Sequence, residues 1–324
     1  MSDKPKLAFY WCASCGGCEE CVVDLAEAIL MVAGAVYIIF WPVAMDFKKN
    51  DVEAMEDGSI FAAMINGAIR TSEQEEMARL IRRKSKVVIA YGSCAHMGGI
   101  PSLANEFTRE QIMEYMYQEA PSVVNPEKTR PMLSFKHNSQ NVTLPEIRNL
   151  VRTLDQVIDV DYYLPGCPPT PKLLKQAVLT LLSGEFPPKG TVLSPDEALC
   201  EECPRKESKP SDLSFTHFYR PHEILIDKTK CLLSQGVVCM GPSTRAGCEA
   251  LCISGNMPCS GCFGPTSRVR DQGAKMLSSL CSNISENDEA GIDKILDGIP
   301  DPVGTFYRYG LATSLLRKKI TEDV

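Results

Sequence analysis

The chain has 324 residues, 44% of them hydrophobic, with a formal net charge of −7 and a pI near 5.3. That length suits about two domains of ~150 residues, the acidic balance argues against a nucleic-acid surface, and no apolar run approaches the ~18 residues of a membrane span. The opening MSDKPKLAFYW has neither an apolar signal core nor a twin arginine, so the expected location is the cytoplasm, where fifteen cysteines call for metal rather than disulfides.

Taken in order, residues 7–11 (LAFYW) predict a buried strand running into the turn Cys15-Gly16-Gly17-Cys18. Glu19 and Glu20 then open an amphipathic helix through Val22, Leu25, Ala26 and Ile29. Residues 35–40 and 60–65 predict the second and third strands, the latter ending at Asn66-Gly67. A helix follows over 72–83, and a fourth strand over 86–91 ends at Gly92-Ser93-Cys94. A polar excursion rich in Pro and Asn covers 120–145, and 144–157 reads as a helix capped by Thr143. The fifth strand, 160–164, ends at Pro165-Gly166-Cys167-Pro168, and 171–183 is a helix with proline in its first turn. This alternation predicts an α/β fold built on a doubly wound, flavodoxin-like parallel sheet. Residues 184–195 read as a linker, which divides the chain into a first domain, 1–190, and a loop-rich second domain, 191–324. The last stretch, 305–324, ends in a helix-like LATSLLRKKITEDV that suits a surface or partner-docking helix.

Cysteines fall at the ends of the predicted strands: Cys15 and Cys18 after the first, Cys94 after the fourth, Cys167 after the fifth. One edge of a parallel sheet would gather all four. Four thiolates match a 4Fe-4S site, and zinc also accepts four. Between residues 200 and 262 the apolar pattern is too sparse to predict a core, and eight cysteines stand in its place, so ligation would supply the folding energy. Divided by sequence block they make two more sites, Cys200, Cys203, Cys231 and Cys239 in one, and Cys248, Cys252, Cys259 and Cys262 in the other. Exchange of ligands between blocks is known in two-cluster ferredoxins, so sequence leaves that division open. Cys12, Cys21 and Cys281 remain as structural residues. The four histidines (His96, His137, His217, His222) are scattered, and no hydrolytic constellation stands out. His96, two residues after Cys94, is close enough to hydrogen-bond a cluster sulfur or to serve in packing.

Together, Trp11 before the Cys15–Cys18 turn, Gly92-Ser93-Cys94-Ala95 with Gly98-Gly99-Ile100, Pro165-Gly166-Cys167-Pro168, and the later cysteine series resemble the small subunit of nickel–iron hydrogenases. The resemblance spans residues 7 to about 264 and is nearest the gamma subunit of cytoplasmic methyl-viologen-reducing hydrogenases, which associate with heterodisulfide reductase. It implies an oxidoreductase subunit whose catalytic metal sits on a large subunit, with an iron–sulfur adaptor and a heterodisulfide-reductase-like complex as further partners. It implies three 4Fe-4S clusters, with neither FMN nor NAD. Carried over, Cys15, Cys18, Cys94 and Cys167 would hold the proximal cluster, Cys248, Cys252, Cys259 and Cys262 the medial, and Cys200, Cys203, Cys231 and Cys239 the distal. Many relatives have histidine where Cys200 stands, and thiolate there should lower the distal potential.

Ser14 departs from the glutamate that many relatives place just before the first Cys-x-x-Cys, on the proton path. Glu19 and Glu20 are nearby substitutes, although acids in a first helical turn commonly just answer the helix dipole. Ser14 also motivates a rival reading, the same electron wire beside a large subunit without a working nickel–iron site. A zinc scaffold is a second rival. A respiratory complex I subunit shares the fold of the first half, but its adjacent cysteine pair is missing from this chain.

Overall fold

The computed structural model describes residues 4–316. Ten strands form among the described residues: β1 (Lys6–Trp11), β2 (Tyr37–Phe40), β3 (Ile60–Asn66), β4 (Ile69–Thr71), β5 (Ser85–Tyr91), β6 (Ser134–His137), β7 (Gln140–Thr143), β8 (Ile147–Arg152), β9 (Tyr162–Leu164) and β10 (Thr191–Val192). Six of them make one all-parallel sheet in the order β10-β9-β5-β3-β1-β2. Counted within the sheet alone, that order begins 2-1-3-4-5, the flavodoxin-like arrangement.

Strands β3 and β5 are nearly continuous apolar runs because they lie in the middle of the sheet and are covered on both faces. On one face the helix Ser72–Lys84 packs Met77, Ala78, Leu80 and Ile81 against Ala63, Ile65, Val88 and Ala90. On the other, the helix Pro171–Ser183 packs Leu173, Leu174, Ala177 and Val178 against Leu7, Phe9, Met64 and Ile89. Burying each such Leu or Ile contributes about 1.5–3 kcal/mol. The first helix starts where Thr71 accepts from Gln74 N at 3.3 Å and Gln74 accepts in return from Thr71 N at 3.0 Å. Thr170 caps the second, ahead of Pro171.

Several expectations are corrected. The helix expected from Glu19 to Ile29 breaks into Gly17–Val23 and Ala28–Ala35, with Ala26 between them at φ +48°. The sheet has six strands rather than five, because the expected linker contributes β10, which pairs with β9 through Thr191 and Tyr162. The helix expected over 144–157 is instead β8, antiparallel to β4, followed by a 3-10 turn, Leu154–Gln156. Partners remote in sequence impose that extended form. Asn105 grips Val151 through both backbone groups, at 2.8 and 2.9 Å, and Glu75 receives Arg152 at 2.6 Å. A local helical pattern does not outweigh such contacts.

The region beyond residue 200 also has the core that its sequence did not promise. Phe215, Phe218, Leu232, Leu233, Val237 and Met240 pack with Met276, Leu280, Ile295 and Phe306. The helices Gln272–Cys281, Glu289–Leu296 and Pro302–Phe306 each begin at an aspartate that accepts a backbone N–H. Of the expected C-terminal helix, the described residues contain a 3-10 turn, Leu311–Thr313, and the part from 317 on lies outside the described residues. Among the described residues no helix is long and apolar enough to cross a membrane.

Candidate metal centres

β1, β5 and β9 point the same way in the sheet, and each delivers its chain to a cysteine-bearing turn at the same edge. The turns after β5 and β9 are zipped together: Gly92 N donates to Leu164 O and Ser93 N to Gly166 O, both at 2.8 Å. That zip sets Cys94, in the short helix Ser93–Met97, opposite Cys167. Cys15 and Cys18 flank Gly16-Gly17, where the helix Gly17–Val23 begins.

Charge on neighbouring sulfurs of this set opposes the ionisation of Cys18, Cys94 and Cys167. Burial raises the pKa of Cys18, and charge on Cys94, Cys167 and Cys15 raises it further. Burial pushes Cys94 up to about 12, with Cys167 and Cys15 adding to the effect. Four thiolates can therefore share this edge only if a bound cation or cluster takes up their charge. Two glycines leave room for the sulfurs. A Cβ on Gly92, at φ +83°, would stand 2.4 Å from Cys18 Sγ, and one on Gly99, at φ +58°, would stand 2.4 Å from Cys94 Sγ.

Beside this set lies a buried polar chain. Ser14 Oγ donates to Asn66 Oδ1 at 2.9 Å, Asn66 Nδ2 donates to Glu19 Oε1, and Trp41 Nε1 donates to Glu19 Oε2. Glu19 is only 4% exposed, while Glu20 faces solvent. Burial raises the Glu19 pKa, and the bonds from Trp41 and Asn66 pull it back. In sequence the two acids look alike; the fold separates a surface carboxylate from a core one. His96 packs against Tyr163 with the rings tilted by 37° and centroids 4.7 Å apart, and burial lowers its pKa to about 4.

A second set forms around the 3-10 turn Leu199–Glu201. Gly241 lies against two of its sulfurs: a Cβ there would stand 3.5 Å from Cys200 Sγ and 3.6 Å from Cys239 Sγ. Burial pushes Cys200 up to about 11; Lys209 opposes that rise, and Cys239, Cys203 and Cys231 add to it. Arg205 N donates to Cys203 Sγ at 3.4 Å, and the buried guanidinium reaches Ile253 O at 3.1 Å and Asn256 Oδ1 at 2.7 Å. Cys231 N is held by Ser208 Oγ at 2.7 Å.

In the third set Cys248, Cys252, Cys259 and Cys262 line one small cavity. Burial pushes Cys262 up to about 12, the Cys167 N–H opposes that, and Cys248, Cys167 and Cys252 add to it. This set touches both others. Cys259 N donates to Cys239 Sγ at 3.4 Å while Cys259 O accepts from Met240 N at 2.9 Å. Ser93 Oγ, next to Cys94, donates to Cys262 O. The order through space is thus the Cys94 set, the Cys262 set, then the Cys239 set.

The other three cysteines stand apart in role. Cys12 is buried, Cys21 Sγ donates to Pro169 O at 3.0 Å, and Cys281 is exposed at the end of its helix. Among the described residues no three Cys, His, Asp or Glu side chains close around a single ion. Asn66, Trp41, Ser260 and Tyr309 also belong to these surroundings, and no local signal in the sequence marks them.

Comparison with known proteins follows the same outline. The family model described as NADH ubiquinone oxidoreductase, 20 Kd subunit, matches residues 15–181, which include the whole first cysteine set. The iron-sulfur subunit of the F420-non-reducing hydrogenase of Archaeoglobus profundus is 37% identical over 97% of this chain and 98% of its own. The corresponding F420-non-reducing hydrogenase subunit of Methanothermobacter thermautotrophicus is 36% identical over 100% of this chain and 99% of its own. The solved structure of a recombinant NiFeSe hydrogenase from Desulfovibrio vulgaris Hildenborough shares the fold, with a TM-score of 0.52 and 18% identity, covering 82% of this chain and 95% of that one.

Proposed function

Because this chain belongs to the family of F420-non-reducing hydrogenase iron–sulfur subunits, we propose that it conducts electrons from dihydrogen oxidation on a large subunit through three 4Fe-4S clusters to a heterodisulfide-reductase-type or other redox partner. It is an oxidoreductase subunit. The observation that carries the proposal is that Cys248, Cys252, Cys259 and Cys262 line one cavity that touches both flanking groups of cysteines, through Ser93 Oγ to Cys262 O on one side and Cys259 N to Cys239 Sγ on the other.

In this reading Cys15, Cys18, Cys94 and Cys167 hold the proximal cluster within the first 190 residues. Cys248, Cys252, Cys259 and Cys262 hold the medial one, and Cys200, Cys203, Cys231 and Cys239 the distal one. The donor chemistry fits: all twelve ligands are thiols, and Gly92 and Gly99 clear the space beside two of them. A zinc ion would draw four sulfurs to roughly 2.3 Å from one point, whereas in a 4Fe-4S site each thiolate binds a different iron. Bound in these sites, the clusters would each accept and release one electron at a time. The protein keeps them dry, spaces them and supplies N–H donors such as Gly17 N to Cys15 Sγ at 3.5 Å and Arg205 N to Cys203 Sγ. Neither FMN nor NAD is needed for this task, and the working compartment is the cytoplasm.

Purification with the large subunit, followed by iron, sulfide and nickel analysis and EPR of the reduced protein, tests the proposal. Roughly twelve irons per chain in three spin systems are expected. Zinc without iron overturns it. Ser14, in place of the glutamate that the resemblance leads one to expect there, supports the rival in which the large subunit is inactive; bound nickel with dihydrogen-dependent dye reduction rejects that rival.

A further inference from the structure

Tyr309 reaches two cysteine sets at once. Its carbonyl accepts from Gly99 N at 2.9 Å, and Gly99 is the residue pressed against Cys94 Sγ. Its hydroxyl lies 3.3 Å from Ser260 Oγ, and Ser260 sits between Cys259 and Cys262 and lines their cavity. We propose that Tyr309 is a positioning residue that clamps the proximal site to the medial site, its backbone gripping one and its phenol the other. The proposal rests on the three-cluster reading above.

The surroundings make the clamp rigid. The segment carrying Tyr309 is pinned on both sides: Gln156 Nε2 donates to Ala312 O at 3.0 Å, and a Cβ added to Gly98 would stand 2.6 Å from Ala312 Cβ. On the other flank, Gly273 is so close to the Tyr307 ring that a Cβ there would be 2.6 Å away. Burial raises the Tyr309 pKa, Ser260 opposes that, and charge on both Cys262 and Cys167 adds to the rise, so the hydroxyl is within electrostatic reach of a sulfur from each set.

The hydroxyl pair has a further consequence. Two O–H groups share one mutual hydrogen bond, so one hydroxyl proton remains free to donate elsewhere. Donated to a sulfur of a bound cluster, that proton would favour the reduced, more negative form and raise its potential. With both clusters bound, an electron passing between the two sites would leave the proximal cluster oxidised and the medial one reduced, and Tyr309 itself would be neither.

The experiment uses the purified complex with the large subunit and compares Tyr309→Phe, Tyr309→Leu and Ser260→Ala with the parent. Iron content is measured first, then the midpoint potentials of the three clusters by EPR-monitored redox titration, then the magnetic splitting between the proximal and medial signals. Tyr309→Phe should keep its iron, lower the medial potential and leave the distal one in place. Tyr309→Leu should in addition weaken the proximal–medial splitting. Should Tyr309→Phe fail to load iron, Ser260→Ala carries the same expectation. Loaded variants whose medial potential does not move, or whose three potentials move together, overturn the clamp. Parent protein that holds fewer than three clusters instead overturns the reading beneath it, so the two failures are distinguishable.

Discussion

The Asn66 side chain stands between the Ser14 hydroxyl, which donates to it at 2.9 Å, and the buried Glu19 carboxyl, to which it donates. Among the described residues Glu19 has one other side-chain donor, Trp41 Nε1. Asn66→Leu removes half of that support and leaves a buried acceptor unpaired, at a cost of about 1–3 kcal/mol. Thermal unfolding of the purified complex should show a lower Tm, with the Trp41 fluorescence of the native state altered. An unchanged Tm would mean that water replaces the amide.

Gly99 offers a sharper test of the first cysteine set. A Cβ at that position would stand 2.4 Å from Cys94 Sγ, in a backbone conformation that side chains rarely adopt. Gly99→Ala should therefore lose about a third of the iron, roughly four atoms per chain, while the other two spin systems persist. Gly34, which has open space around it, is the control: Gly34→Ala should retain all the iron. Both are read by iron analysis and EPR of the reduced protein.

Asp161 makes stability depend on pH. Burial opposes its ionisation, but Lys189 at 2.6 Å, the Val88 N–H at 2.8 Å and Arg82 at 2.6 Å more than offset that and hold the carboxyl below its ordinary value of 3.8. A carboxyl with a depressed folded pKa stabilises fully above the unfolded value and loses that contribution as pH falls through the folded one. Asp161→Asn should therefore cost about 2 kcal/mol near neutral pH, discounted because Lys189 is exposed. The difference from the parent should shrink below about pH 4. Far-UV circular dichroism melts from pH 7 down to pH 3 supply the measurement, and a constant difference across that range would contradict it.

The second cysteine set invites a ligand exchange. Cys200 and Cys239 both approach Gly241, and on the three-cluster reading all-thiolate ligation would make the site more negative than one with an imidazole. Cys200→His should raise the potential of the distal spin system and leave the medial one unmoved in an EPR titration. Loss of the signal altogether would show that the turn at Leu199–Glu201 is too tight for the larger ring.

How much of this is visible in the residues depends on the range of the forces involved. Strands β3 and β5 are legible because a strand buried on both faces must be apolar at every position, and the placing of Cys94 at the sheet edge follows from strand direction alone. β10 is not legible: two residues, Thr191 and Val192, carry no periodic pattern and are defined by their pairing with β9. β8 misleads for a different reason. Its own residues suit a helix, and its extended form is set by Asn105 and Glu75, which lie 46 and 77 positions from the residues they hold. Glu19 is the same lesson in the site itself. An acid in a first helical turn looks solvated, and the residues that keep it buried, Trp41 and Asn66, lie 22 and 47 positions away.

β10 also bears on how firmly the two parts of the chain are joined. On the electron-transfer reading proposed above, tunnelling falls off exponentially with distance, so a loose joint between residues 184 and 195 would be a handicap. By pairing with β9, Thr191 and Val192 tie that joint to the sheet, and with the Ser93–Cys262 and Gly99–Tyr309 contacts they narrow the range of distances between the sheet edge and the outer sulfurs.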